Sequence, residues 1–228
     1  MRYFVAESFL ILTIATVIFS ITPNCPVTIA GDTISENRVV RDGIGQVIAI
    51  DLSDMGLSNS KILKYITPFK STIQVLDLSK NTFKELDLSY LENSINLHAL
   101  NISSNRIKKI DLKPLSRVEN LCRLMMSENK IEEIDLTPLS NCIQLKNLQL
   151  QFNRIKEIDI SCLSSCSKLR TLWLYNNQLE QFDLESIVEL RSLEDIKLGG
   201  NDFDNEFCIE IEDFLIDNPL LFISYDCD

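Results

Sequence analysis

Apolar side chains fall along this chain in a fixed cadence. Five slots of the pattern L-x-x-L-x-L-x-x-N-x-L are held by Ile73, Leu76, Leu78, Asn81 and Phe83, and the same slots recur every 24 residues from Leu97, Leu121, Leu145, Leu169 and Leu193. The polar slot is Asn81, Asn105, Asn129, Asn153, Asn177 and Asn201 without exception. Within a block, Asn147-Leu148-Gln149-Leu150-Gln151 alternates with period two, which predicts a short strand with the leucines inward and the polar residues outward. No single block can enclose its own apolar face. A period of this kind therefore predicts an α/β solenoid, in which each coil is covered by its neighbours and adds one parallel strand to a common sheet. The asparagine turns the chain after each strand, and its amide can satisfy backbone groups that a buried turn would orphan.

A second column of the same period, Asp87, Asp111, Asp135, Asp159 and Asp183, lies on the return path. Carboxylates stacked at one strand spacing, about 5 Å, repel unless donors hold each of them. In Asp111-Leu112-Lys113-Pro114-Leu115 and Asp135-Leu136-Thr137-Pro138-Leu139 the aspartate stands where a helix N-cap belongs, with proline in the first turn. A ladder of calcium ligands is the rival reading, but paired acidic neighbours and a glycine turn are missing at these sites. Both ends break the pattern, as capping repeats do. Val39 to Ile48 reads as a hairpin around Gly43 and Gly45, and the first coil, from Val47, has Met55 in the asparagine slot. At the far end, Glu210 to Asp217 is expected to be a helix stopped before Pro219, and Leu220 to Tyr225 a last strand.

Residues 47 to 203 resemble the leucine-rich repeat superfamily, in its short-repeat class with a return segment of the form I-D-L-x-P-L, as in Ile110 to Leu115. The resemblance implies a right-handed horseshoe, with a curved parallel sheet on the concave face, short helices or turns on the convex face, and a concave surface used to bind proteins. It implies nothing about which partner is bound. Cys162 stands where Pro114 and Pro138 stand in their coils, a departure from the return motif. The expected organisation is a signal peptide or signal anchor over 1–30, a cap hairpin over 31–46, seven repeats over 47–203 and an acidic C-terminal cap over 204–228.

Charge refines this picture. The chain of 228 residues carries a net charge of -11, which opposes nucleic-acid binding because phosphate contact needs a basic surface. From Glu194 to Asp228 there are eleven acidic residues against Lys197 alone, the composition of a solubilising end cap. Arg2, the apolar run Phe9 to Ile21 and the small residue Ala30 follow the order of a secretory signal. With Glu7 included, Tyr3 to Thr22 is long enough for an uncleaved anchor. Either way the repeats are exported to the medium or cell surface; the alternative is a buried cap segment of a cytoplasmic protein. Of seven cysteines, Cys142 and Cys166 share a repeat slot with Ser94 and Val118 and read as small core residues. Cys208 and Cys227 are the candidate disulfide, a clamp on the last coil.

Phosphate loops, zinc spacings and hydrolase motifs are missing from the sequence, so no cofactor, metal or catalytic residue is expected. The one histidine, His98, stacks beside Cys122, with Lys146 next in the column. A thiol enzyme built on that pair is a remote alternative, since no third orienting group accompanies it. The outward concave columns are more informative. One reads Asp51, Asp77, Asn101, Met125, Gln149, Trp173, Lys197, and the next reads Ser53, Ser79, Ser103, Ser127, Gln151, Tyr175, Gly199. Large side chains collect on three coils, as Arg123, Met125, Gln149, Gln151, Trp173 and Tyr175. Exposed Trp, Tyr, Met and Arg are the residues enriched at interface centres. The expected function is non-enzymatic recognition of a protein or peptide on this face. A structural spacer, which needs only short polar residues there, is the alternative.

Overall fold

The computed structural model describes residues 28–29, 32–33, 38–218 and 222–226. The proposed signal segment lies almost wholly outside the described residues, as does Cys227. The strands are β1 (Thr28–Ile29), β2 (Asp32–Thr33), β3 (Val39–Arg41), β4 (Val47–Asp51), β5 (Val75–Asp77), β6 (Ala99–Asn101), β7 (Arg123–Met125), β8 (Asn147–Gln149), β9 (Thr171–Trp173), β10 (Asp195–Lys197) and β11 (Ile223–Ser224). Strands β3 to β11 form one nine-stranded sheet in strict sequence order. Only β3 runs antiparallel, pairing with β4 through a register shift at Val40/Arg41. Every later pair is parallel and joins equivalent residues, so that Ile50, Leu76, Leu100, Leu124, Leu148, Leu172, Ile196 and Ile223 stand in one row.

This row and its neighbours make the core. Leu76, Leu78, Leu97, Leu100, Leu121, Leu124, Leu145, Leu148, Leu150 and Leu174 are fully buried, as is Phe83. A fully buried leucine contributes roughly 1.5–3 kcal/mol of transfer free energy, and that contribution exists only while the next coil is in place.

The asparagines close the turns. Asn129 Nδ2 donates to Ile102 O at 3.0 Å in the preceding coil and to Met126 O and Ser127 O at 3.2 Å in its own, while its Oδ1 accepts Ile107 N–H at 3.1 Å. Asn105, Asn153 and Asn177 repeat this pattern, each with its own turn and the preceding coil. At the start of the series Asn81 Oδ1 accepts from Met55 N–H and Leu57 N–H, so the first coil, which lacks an asparagine, is held by the second. The residue just before each of these turns has a left-handed backbone: φ is 54° at Asp54, 56° at Lys80, 55° at Ser104 and Glu128, 58° at Phe152, 54° at Asn176 and 67° at Gly200.

The return paths are short 3-10 segments, among them Leu88–Leu91, Lys113–Leu115, Thr137–Asn141 and Ser161–Ser165, followed by a single α turn, α1 (Glu185–Val188). Asp87 is the N-cap of its segment, accepting Ser89 N–H at 2.9 Å. Asp111, Asp135 and Asp159 sit one residue further out and accept from the first helical residue, Lys113, Thr137 or Ser161, at 2.9 Å. The donors that separate the stacked carboxylates are thus backbone N–H groups. The hydroxyl side chains of Ser89, Thr137 and Ser161, and after them these backbone N–H bonds, hold the Asp87, Asp135 and Asp159 carboxyls below the usual carboxylate range.

The last helix, α2 (Asn205–Asp217), begins five residues before the Glu210 start expected from sequence. Asp204 caps it by accepting Phe207 N–H at 2.9 Å. Phe207, Cys208 and Ile211 pack inward, and the polar break at Asn205-Glu206 had concealed this first turn. Cys208 is disulfide-bonded. Among the described residues no helix is long and apolar enough to cross a membrane.

Replacing Asn129 by Ala removes the acceptor of a buried N–H and the donor to three carbonyls. Urea denaturation should show a loss of roughly 1–3 kcal/mol, spread over the whole array, while Lys130→Ala changes little. A midpoint equal to wild type would contradict the role given to the ladder. Acid should act through the aspartate column: native pKa values below the unfolded value of about 4 mean stability present above that pH and lost as pH falls through the native values. Thermal melts should therefore stay flat down to about pH 4.5 and drop below it, less steeply when Asp87, Asp135 and Asp159 are all changed to Asn. An unchanged acid profile in that triple variant would remove the column from the explanation.

Candidate functional site

Because β7, β8 and β9 pair without offset, Met125, Gln149 and Trp173 lie side by side on the concave face. Arg123 is at the strand entrance opposite Asn147, and Gln151 and Tyr175 lie beyond the strand exits, joined by the bond from Phe152 N–H to Tyr175 O at 3.1 Å. The six residues selected from sequence are therefore brought onto three adjacent coils.

The two halves of the face differ in chemistry. In the first coils the central column is braced locally: Asp51, Asp77 and Asn101 each accept the N–H of the serine two residues on, at 2.8, 2.8 and 3.1 Å. Asn101 also donates to Asp77 Oδ2 at 3.0 Å, and Arg38 pairs with Asp51 at 3.6 Å. Met125, Gln149 and Trp173 occupy the same column, and none of them makes that local bond.

Trp173 is itself restrained. Its indole N–H donates to Asp195 Oδ2 at 2.7 Å, Lys197 Nζ stands 4.4 Å from its ring centroid, and Lys197 meets Asp195 at 4.0 Å. The Tyr175 ring meets it edge-on at 6.3 Å and meets Phe152 edge-on at 5.1 Å. Asp195, Lys197 and Phe152 were not among the residues expected from sequence. Asp195 and Lys197 could have been found from the column register; Phe152 was hidden because its slot reads as a turn position. Gln151 is only 7% exposed, and its Oε1 has no hydrogen-bond partner. Arg123 is half-buried and its Nε is likewise unpartnered. At the next coil Gly199 leaves room for the Asp226 side chain, which accepts Gly200 N–H, and any Cβ on Gly200 would strike Asn176.

His98 and Cys122 do not form a couple. His98 Nδ1–H donates to Asn96 O at 2.5 Å and Cys122 S–H to Asn120 O at 3.4 Å, each turned back onto its own coil. The bond through which imidazole would activate the thiol is not made. Cys142 and Cys166 are buried against Leu115 O and Leu139 O, and burial pushes their thiols up to about 12 and about 11; Cys162 is also raised, to about 11.

A family model for the BspA type leucine rich repeat region (6 copies) matches residues 57–170, half of the chain, and a leucine rich repeat model matches residues 143–203. The chain belongs to the leucine-rich repeat family. No curated protein is matched. Among solved structures, this leucine-rich repeat protein is similar to one from Leptospira interrogans, with 16% identity, TM-score 0.53, and coverage of 78% of this chain and 60% of the other. It is similar also to the internalin InlF of Listeria monocytogenes, with 22% identity, TM-score 0.51, and coverage of 75% and 54%. The functional domain of InlJ from the same organism matches at 26% identity and TM-score 0.48 over 59% of this chain and 27% of that one. The chain thus spans 60% or less of each of these proteins, and the likeness is one of fold.

Alkylation of the native protein should label Cys122 first and Cys162 more slowly, with Cys142 and Cys166 protected until unfolding. Peptide mapping that finds Cys162 modified while Cys122 is intact would contradict this order.

Proposed function

We propose that this protein is a non-enzymatic binding module that receives a protein or peptide on its concave face, at Arg123, Met125, Gln149, Gln151, Trp173 and Tyr175. The observation that supports the reading is the switch along one column, from Asp51, Asp77 and Asn101, which cap their own strand ends, to Met125, Gln149 and Trp173, which do not. A spacer would have no reason to exchange a local hydrogen bond for a large side chain facing solvent on three coils in succession. Trp173 supplies a rigid aromatic surface held by Asp195 and Lys197, Met125 and Tyr175 flank it, and the polar side chains supply hydrogen bonds. Export to the medium or cell surface accompanies this reading. It is supported by the signal-like order of residues 1–30 and by a disulfide at Cys208, for which Cys227 is the proposed partner.

A photo-crosslinking residue at position 149, in the full chain presented to source-cell surfaces and medium, should capture a defined partner, while the same probe at Lys156 on the return path should not. Against that partner Trp173→Ala should weaken binding by about 2 kcal/mol or more, the hot-spot threshold. Unaltered affinity would move the binding site off this face, and a mature chain retained in the cytoplasm would contradict export.

A further inference from the structure

Phe152 is the anomaly of the molecule. The turn before each ladder slot, asparagine in all coils but the first, requires a left-handed residue, and the other coils fill it with Asp54, Lys80, Ser104, Glu128, Asn176 and Gly200, polar or glycine in every case. A bulky aromatic there is disfavoured by backbone sterics, and this one is 45% exposed, so neither backbone preference nor burial explains it. Its ring extends the Trp173–Tyr175 pair at the strand exits, and, like Tyr175, it makes no polar side-chain contact among the described residues, whereas Trp173 is held by Asp195 and Lys197.

Two further groups on the same coils lack partners. Gln151, adjacent to Phe152 and buried apart from 7% of its surface, has an Oε1 with nothing to accept from. A buried acceptor left unmatched is destabilising, and rotation of the amide toward the concave surface would let a partner's donor satisfy it. Arg123 makes no salt bridge among the described residues, and its Nε donates to nothing, which leaves an unneutralised guanidinium at the opposite, entrance side of the strands. A guanidinium presents a planar fork matched to a carboxylate.

Resting on the concave-face reading above, we propose that the partner is presented as an extended acidic and aromatic polypeptide segment. Its carboxylate lies on Arg123, a main-chain N–H donates to Gln151 Oε1 as that amide turns outward, and a large apolar side chain packs on Phe152 and Tyr175. From Arg123 to Phe152 is one strand across and five residues along, at most about 17 Å between backbones because the chain turns after Gln149. The long arginine side chain shortens the span to be bridged, so an extended chain meets both ends with the acidic and apolar residues about three to five positions apart.

The test is selection of linear twelve-residue peptides displayed on phage against the immobilised full chain, followed by binding measurements with the selected peptides as synthetic probes. The selected pool should carry Asp or Glu about three to five residues from Phe, Tyr, Trp or Leu. Phe152→Asn and Arg123→Gln should each weaken a selected peptide at least tenfold, Arg123→Lys less, and Gln151→Leu should weaken it while leaving the fold intact. Phe152→Asn places a residue suited to the left-handed turn, so its melting temperature should equal or exceed that of wild type; a lower value would mean that Phe152 serves packing instead. No enrichment, or a pool without the acidic residue, overturns the proposal. If selected peptides are lost on Trp173→Ala or Gln149→Ala but not on Phe152→Asn or Arg123→Gln, the concave face binds and this mode of recognition is wrong. If binding survives all of these substitutions, both readings fall.

Discussion

Everything in this structure depends on coils lying on one another without offset. A strand of three residues, such as β7, has no stability of its own, and its leucine row is buried only because the same row recurs on either side. The asparagine amide makes this stacking possible at the turn, where backbone groups would be buried without partners. By binding the preceding coil through both Nδ2 and Oδ1 and its own turn through Nδ2, each asparagine ties two consecutive coils together. Stability is thereby concentrated in the inward leucines and the asparagine column, on the side of the sheet away from the concave surface.

That concentration explains what was legible in the sequence. The strands, their register and the ladder follow from a period of 24 and an alternation of two, both visible in the sequence. The aspartate column was legible as a set of caps, although three of its members stand one residue outside the helical segment they hold, a distinction that depends on backbone angles. The start of α2 was not legible, because Cys208, Ile209 and Ile211 mix helical and alternating spacing and only the Asp204 bond to Phe207 N–H decides the boundary. In the candidate site the column positions could be read, whereas the contacts could not. Whether Trp173 faces a partner or its own neighbours depends on side-chain conformations, and it proves to be braced by Asp195 and Lys197.

The bracing changes what each aromatic residue can do. A tryptophan whose N–H is already bonded offers a preordered surface, and little side-chain entropy is lost when something packs on it. Phe152 and Tyr175 complete that surface at its outer rim.

Departures from local rules coincide on the same coils. Where Asp51, Asp77 and Asn101 cap their strands, Met125, Gln149 and Trp173 do not; where the left-handed column is polar elsewhere, it is Phe152; and the unpartnered Arg123 Nε and Gln151 Oε1 lie between. Each departure alone is a small loss of stability, and a solenoid tolerates it because the ladder and leucine rows beneath are unchanged. Random drift would scatter such losses along seven coils. Most of them gather on coils four to six, although Ser94 Oγ on the second coil is also unpartnered and Lys197 on the seventh also lacks the capping bond. Such a gathering is what the proposed recognition on this face would produce.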